Sequence, residues 1–319
     1  MSYDEFAFID RLMRPLAAGM PAALDLADDA AVLEPPEGRE LVLTKDALVA
    51  GVHFLPDDPA DLVAAKLLRV NLSDLAAMGA EPLGYLLLLA KPREIADDWL
   101  EAFSRGLARD QERFGLALMG GDTVSTPGPL TLSLTALGTV PRGRALLRRG
   151  ARVGDDLWVS GTLGEAAIGL RILRGLALPD EDALPFIARY RMPEPRIALG
   201  LRLRGLAHAV IDVSDGLVAD AGHLAHASGA AVVIEAPALP VSARARRVPG
   251  AMDCALAGGD DYELLFSADP GARGRIAELA AELGLPLTRI GRIEEGEGVQ
   301  VRDEKGRPVT IQRPGWRHF

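Results

Sequence analysis

The sequence predicts an α/β chain of two domains, an α/β (α+β) architecture, and three observations carry that reading. The chain has 319 residues, more than the about 100–200 typical of one domain. Short apolar runs of strand length alternate with longer stretches of helical periodicity in both halves. Between Pro141 and Gly154 the pattern breaks into a glycine-bearing basic stretch with Arg142, Arg144, Arg148 and Arg149. The boundary is placed there, giving domains 1–142 and 143–319.

In the first half, residues 3–18 read as an amphipathic helix, broken around Gly19 and Pro21. Ala30–Leu33 and Leu41–Thr44 read as strands around a Pro35-Pro36-Glu37-Gly38 turn. Residues 60–78 carry apolar positions at helical spacing, with Gly79 at the expected C-terminal cap. Strands follow at Leu83–Ala90, Leu116–Met119 and Leu130–Val140, with a helix over Asp97–Phe114. In the second half, strands are expected at Leu157–Val159, Ala209–Val213, Ala231–Glu235 and Tyr262–Phe266. Helices are expected from Gly164, Pro195 and Leu217 and near Arg273–Leu283, with short C-terminal strands.

Composition narrows the function. Hydrophobic residues make up 49% and charged residues 25% of the chain, as in ordinary globular proteins. Cys254 is the single cysteine, so an internal disulfide and paired-cysteine metal sites are excluded. The N-terminus lacks a signal-peptide layout and no apolar run is long enough to span a bilayer. A cytoplasmic protein with no membrane partner is expected. The net charge of −10 argues against nucleic acid, whose phosphates call for Lys and Arg. It is compatible with a nucleotide only if the acids hold divalent cations that in turn hold phosphates.

The acids lie where that would be useful. Apolar runs lead into Asp46, Asp122, and the pair Asp212 and Asp215; Asp28 and Asp29 precede one, and Asp74 lies near the end of the 60–78 helix. Ligands of open α/β sheets gather beyond the carboxyl ends of strands. Oxygen-only ligands select magnesium, calcium or manganese. Each Asp alone can equally be a turn former or helix cap, and Asp212 or Asp215 can cap the helix that follows Ser214. Gly120-Gly121-Asp122 and Ser160-Gly161-Thr162-Leu163-Gly164 can bring backbone close to a phosphate, or simply make tight turns.

The G-x-x-x-x-G-K-[ST] loop, the H-R-D and D-F-G elements, G-x-S-x-G and H-E-x-x-H are all absent. His223 and His226 share a helix without a third ligand evident in sequence, and read as surface or packing residues.

Together the motifs resemble one family. Asp28-Asp29-Ala30-Ala31-Val32-Leu33 resembles G-D-D-A-A-V-L, and Thr44-Lys45-Asp46 through Gly51-Val52-His53-Phe54 resembles [ST]-T-D-x-x-V-x-G-x-H-F. Asn71 to Ala80 matches N-L-S-D-L-A-A-M-G-A, and Gly120-Gly121-Asp122-Thr123 matches G-G-D-T. Ile211 to Leu217 matches I-D-x-S-D-G-L, Gly258 to Leu264 resembles G-G-E-D-Y-E-L, and the last residues resemble G-[WY]-D-H-F. The family is thiamine-monophosphate kinase.

The resemblance implies an aminoimidazole ribonucleotide synthetase-like fold whose N-terminal domains pair in a homodimer with a joint β-barrel. It implies ATP as co-substrate, several magnesium ions, and phosphorylation of thiamine monophosphate to thiamine diphosphate. By position, Asp29, Thr44, Lys45, Asp46, Asp74, Asp122, Asp212 and Asp215 match metal ligands. Gly121, Asp122, Arg148 and Ser214 match ATP contacts; His53, Asp260 and Trp316 match substrate contacts. No side-chain nucleophile is expected. The chain departs from the pattern at Ala27 (for Gly), Asp260 (for Glu) and Lys45 (for Thr). Either the Lys45 ammonium takes over part of a cation's role, or only its carbonyl is used and the side chain points away.

Overall fold

The computed structural model describes residues 3–311 and Gly315. Contacts divide the chain into two compact units, one of Met1–Leu75 with Ala80–Gly143, the other of Ala76–Gly79 with Arg144–Phe319.

The first unit begins with α1 (Glu5–Phe8), which tightens into a π-helical turn at Ile9–Met13 and a 3-10 turn at Arg14–Ala17. The expected regular helix over 3–18 is therefore replaced by short irregular turns. Pro15 has no N–H for the α-helical ladder and lies where the 3-10 turn begins. The segment is held to a later helix by Gln111 Nε2, which donates to the Leu16 carbonyl at 2.6 Å.

Four strands follow, β1 (Arg39–Val49), β2 (Glu81–Lys91), β3 (Ala117–Ser125) and β4 (Thr131–Pro141), with α2 (Ala60–Ala77) and α3 (Asp97–Phe114) between them. They form a mixed sheet in the order β1-β4-β2-β3, antiparallel except for the parallel β2–β3 pair. Ala30–Leu33 joins no strand. The Val32 N–H donates to the Ala22 carbonyl and its side chain is exposed, so neither ladder nor core draws the segment in.

Helix α2 covers one face of this sheet, and α3 packs on α2 where Gly106 lies against the backbone of Asp61. Arg69 Nε donates to Asp110 Oδ2 at 2.6 Å across this helix pair, with both residues buried. Removing one partner of such a pair typically costs about 3–5 kcal/mol. Helix α3 ends at Gly115, whose φ of 70° supplies the left-handed cap.

The second unit contains β5 (Asp156–Ser160), α4 (Glu165–Leu173), α5 (Asp180–Arg191), α6 (Ile197–Leu203), β6 (Ala209–Asp212), α7 (Leu217–Ser228) and β7 (Ala231–Glu235). Then come α8 (Ala251–Ala257), β8 (Leu264–Ala268), α9 (Arg273–Leu283), β9 (Leu287–Glu294) and β10 (Val299–Arg302). The sheet order is β10-β7-β9-β5-β8-β6, with only β10–β7 parallel. One core packs β5, β6 and β7 with α4, α7 and α8 through Leu157, Ile168, Ile211, Leu224 and Val232. A second, on the other side, holds Trp158, Val210, Phe266, Ile276 and Leu279. Among the described residues no sheet closes into a barrel, and no helix is long and apolar enough to cross a membrane.

Candidate active site

In the first unit, strand alternation sorts the acids onto two faces of one sheet. Thr44 and Asp46 face α2. The Thr44 hydroxyl donates to Asp74, and the Asp46 N–H donates to Asn71 Oδ1 at 3.1 Å. Asn71 and Asp74 are three residues apart, so α2 presents both to β1 on one side. Asn71 is fixed by donating from Nδ2 to the Leu67 carbonyl at 2.9 Å. The Asp46 carbonyl accepts from Ser133 Oγ at 3.0 Å.

Lys45 points to the opposite face. Its ammonium lies 3.5 Å from Thr135 Oγ1. Both line a cavity of about 680 Å³ together with Asp28, Asp29, Gly121 and Asp122. The Lys45 side chain thus enters the cavity rather than turning away from it.

Asp46 and Asp122 lie inside β1 and β3, not at the ends of these strands as expected; only Asp212 ends one. Gly120-Gly121-Asp122 is accordingly strand and not a turn. At Gly121 a Cβ would meet the Leu87 carbonyl oxygen at 2.0 Å, so the close approach of β3 to β2 demands glycine. Asp29 is exposed after an unusual turn. Leu24, Asp25 and Leu26 all take positive φ, whereas Ala27 is right-handed. The missing glycine at position 27 is therefore accommodated without strain at that residue.

His53 sits in the turn after β1. Its Nδ1 accepts from the Val49 N–H at 3.0 Å, which leaves the neutral ring's proton on Nε2.

In the second unit, Asp212 is buried at the end of β6, and Val213-Ser214-Asp215-Gly216 leads into α7. The N-cap position of that helix is Gly216, which has no side chain to cap it. Asp220, one turn into α7, does the work: its Oδ2 accepts the N–H groups of Ser214, Asp215 and Gly216 at 3.0, 3.0 and 3.2 Å. Burial, with the Asp215 charge adding to it, pushes Asp220 up to about 7 against the pull of those three N–H groups.

A second loop, Gly258–Tyr262, lies on the first. The Asp260 N–H donates to the Ser214 carbonyl at 2.9 Å, and the Tyr262 N–H to the Val213 carbonyl at 2.8 Å. Tyr262 Oη donates to Asp260 Oδ1 at 3.3 Å.

A hard divalent cation fits these donors. The carboxylates of Asp28, Asp29 and Asp122 reach one cavity, and Asp215, Asp220 and His223 bring ligand atoms within 4.8 Å of one another. Oxygen dominates both groups, as magnesium or manganese prefers.

Comparisons with known proteins show which family the chain belongs to. The model of the AIR synthase related protein N-terminal domain matches residues 27–140, and that of the C-terminal domain residues 152–304. Thiamine-monophosphate kinase of Caulobacter vibrioides is 48% identical over 98% of this chain and 90% of its own length. The chain belongs to the thiamine-monophosphate kinase family. The crystal structure of thiamine-monophosphate kinase from Stenotrophomonas maltophilia K279a is 47% identical, with a TM-score of 0.86 over 97% of this chain and 99% of that one. The structure of AaThiL complexed with AMPPCP and TMP is 34% identical, with a TM-score of 0.80 over 99% of this chain and 97% of that one. The two-domain α/β fold with mixed sheets is that of the family, and the chain is a kinase.

Within this thiamine-monophosphate kinase family member, the expected residues fall into separate groups. Asp29, Lys45, Gly121 and Asp122 line the cavity; Thr44, Asp46 and Asp74 meet beneath α2; Asp212, Ser214, Asp215 and Asp260 share the paired loops. Arg148 is exposed ahead of β5, its carbonyl accepting from Ser228 Oγ at 3.3 Å. Trp316 lies outside the described residues. Sequence reasoning missed Asp220, Ser133 and Thr135 as shapers of the site. His223 is exposed, as expected of a surface residue, and stands beside Asp215 and Asp220. Asp220 carried a signal, since an acid near the start of a helix just after a glycine-bearing loop commonly holds that loop's N–H groups.

Proposed function

We propose that the chain transfers the γ-phosphoryl group of ATP directly, in line, to the phosphate of thiamine monophosphate, giving thiamine diphosphate and ADP. The observation that carries this is the near full-length identity to thiamine-monophosphate kinases, with oxygen donors kept at the matching positions. The AaThiL complex with AMPPCP and TMP supports the same pair of substrates.

In this reading Asp29, Asp46, Asp74, Asp122, Asp212 and Asp215, with Thr44 and the Lys45 carbonyl, hold several magnesium ions. Bound magnesium screens the like charges of two phosphate groups that must approach each other. Gly121, Asp122, Arg148 and Ser214 contact ATP; His53, Asp260 and Trp316 contact thiamine monophosphate. The Val49 N–H, donating to His53 Nδ1, fixes the orientation of that ring. The Asp220 bonds keep the Ser214–Gly216 backbone in one arrangement, so little reorganisation is needed when substrates arrive. Phosphoryl transfer of this kind rests on positioning and charge neutralisation and needs no protein nucleophile.

The N-terminal domain, 1–142, is proposed to carry ATP, metal and the homodimer contact, with 143–319 as the C-terminal domain, in a cytoplasmic protein. Leu43, Leu86 and Val124 lie exposed on the Lys45 face of the first sheet, an apolar surface suited to pairing of two such sheets into a barrel. Light scattering that gives one chain's mass, 33.8 kDa, at micromolar concentration would remove the dimer from this account.

The test of the reaction is product analysis by mass with ATP, magnesium and thiamine monophosphate. Thiamine diphosphate and ADP are expected in equal amounts. Asp122→Ala should lose at least about 100-fold of the rate. Asp122 is an exposed residue in an intact strand, so its melting temperature should stay near wild type. ATP binding without thiamine diphosphate would overturn the reading.

A further inference from the structure

We infer that Glu263, clamped by Arg189 and Arg196, is a positioning residue for the acceptor side of the reaction. It fixes the Asp260-bearing loop against the Asp215-bearing loop. The inference rests on the proposed thiamine-monophosphate kinase activity and on Asp260 facing the acceptor.

The loop Gly258–Tyr262 is held in a conformation it would not choose alone. Asp260 has φ 70° and Tyr262 φ 50°, both in the left-handed region. For residues other than glycine this costs on the order of 1–2 kcal/mol each, so the surroundings must impose it. The glycines before them are pressed in from outside. A Cβ at Gly258 would meet the Cys254 carbonyl oxygen at 2.4 Å, and one at Gly259 the Ser214 carbonyl oxygen at 2.7 Å.

Three anchors impose the shape. The loop backbone pairs with Val213 and Ser214, and the Val213 N–H donates to the Glu263 carbonyl at 2.8 Å. Asp261 is fully buried and accepts the Gly164 N–H at 2.8 Å, fastening the loop to the start of α4.

The third anchor is Glu263 itself, with no exposed surface. Its carboxylate accepts from Ser160 Oγ at 2.6 Å, Arg189 Nη2 at 2.9 Å, Arg196 Nε at 2.7 Å and Arg196 Nη2 at 2.5 Å. Ser160 Oγ also accepts from the Leu264 N–H at 2.9 Å, and Arg189 Nη2 donates to the Asp261 carbonyl at 3.2 Å. One carboxylate thus joins β5, α5, the entry to α6 and the strained loop. Gly161 makes room for it: a Cβ there would meet Glu263 Oε1 at 2.1 Å.

If stability were the whole purpose, apolar packing would serve as well or better than a buried ion cluster. A cluster of directional charge-assisted bonds sets geometry instead. What it sets is the place of Asp260, three residues before Glu263, whose N–H donates to the Ser214 carbonyl beside Asp215.

The test compares Glu263→Gln and Arg196→Lys with wild type, each checked for a cooperative melt; Arg196→Lys keeps the charge and serves if Glu263→Gln does not fold. The Michaelis constant for thiamine monophosphate should rise about tenfold or more while that for ATP stays within about twofold. Calorimetry of thiamine monophosphate with AMPPCP and magnesium present should show the same weakening without turnover. Unchanged constants in a folded variant, or both constants moving together with a lowered melting temperature, would overturn the inference while leaving the activity in place. Absence of thiamine diphosphate from the wild-type control would overturn the functional reading and this inference with it.

Discussion

Lys45 is the residue at which this chain departs most from its family pattern in charge. Its side chain lines the same cavity as Asp28, Asp29 and Asp122, with Thr135 as a hydrogen-bond neighbour. We propose that this ammonium does part of what a divalent cation would do there, lowering the carboxylates' mutual repulsion. Replacing it by the threonine of the family pattern should raise the magnesium requirement. A titration of rate against magnesium for Lys45→Thr should shift to higher concentration; superposable curves for variant and wild type would show that the ammonium plays no such part. The acids proposed for the site were visible in the sequence because each sits in a motif of unusual specificity. Asp220 and Glu263 were not, because their function is to hold backbone and other side chains. That depends on contacts between residues four to more than a hundred positions apart, such as Gly216 with Asp220 and Ser160 with Glu263.

At the scale of elements, periodicity located the long helices and strands well. The expected helix over Asp97–Phe114 and strand over Ala231–Glu235 have the observed bounds, and α9 begins and ends where expected. Errors cluster where proline or exposure decides. Helix α5 escaped notice because Pro185 interrupts its pattern, although acids in its first turn and Arg189 and Arg191 in its last favour the helix dipole. Helix α8 is only seven residues of mostly small side chains, too short for a clear period. Ala30–Leu33 has strand composition but no neighbouring strand to pair with among the described residues, and strand propensity expresses partners as much as residues.

The join between β5 and α9 gives a pH prediction at this scale. Asp156 accepts from Arg273 Nε at 2.6 Å and lies near Arg289, and the Arg273 hydrogen bond holds its carboxyl below the ordinary value of 3.8. A depressed carboxylate contributes stability that is present above its unfolded value and lost as pH falls through the folded one. Melting temperature followed downward from about pH 4.5 should therefore drop less steeply in Asp156→Asn than in wild type. Parallel curves would mean that this carboxylate contributes nothing to acid unfolding.

For the molecule as a whole, the net charge of −10 looks ill suited to a polyanionic substrate until the placement of the acids is considered. Many of the negative charges are neutralised within the protein, as at Asp110, Asp156 and Glu263, and do not repel a nucleotide. Those left at the cavity and at the paired loops are the ones that cations would bridge to phosphate. The chain is thus proposed to be a scaffold that gathers charge for a transfer between two phosphates. The measurement that tests this most directly follows the transferred group. With ATP labelled in its γ-phosphoryl oxygens, thiamine diphosphate should appear carrying the label only in its terminal phosphate, one ADP per product, and only when magnesium is present. Labelled inorganic phosphate with no labelled thiamine diphosphate would contradict direct transfer and the account built on it.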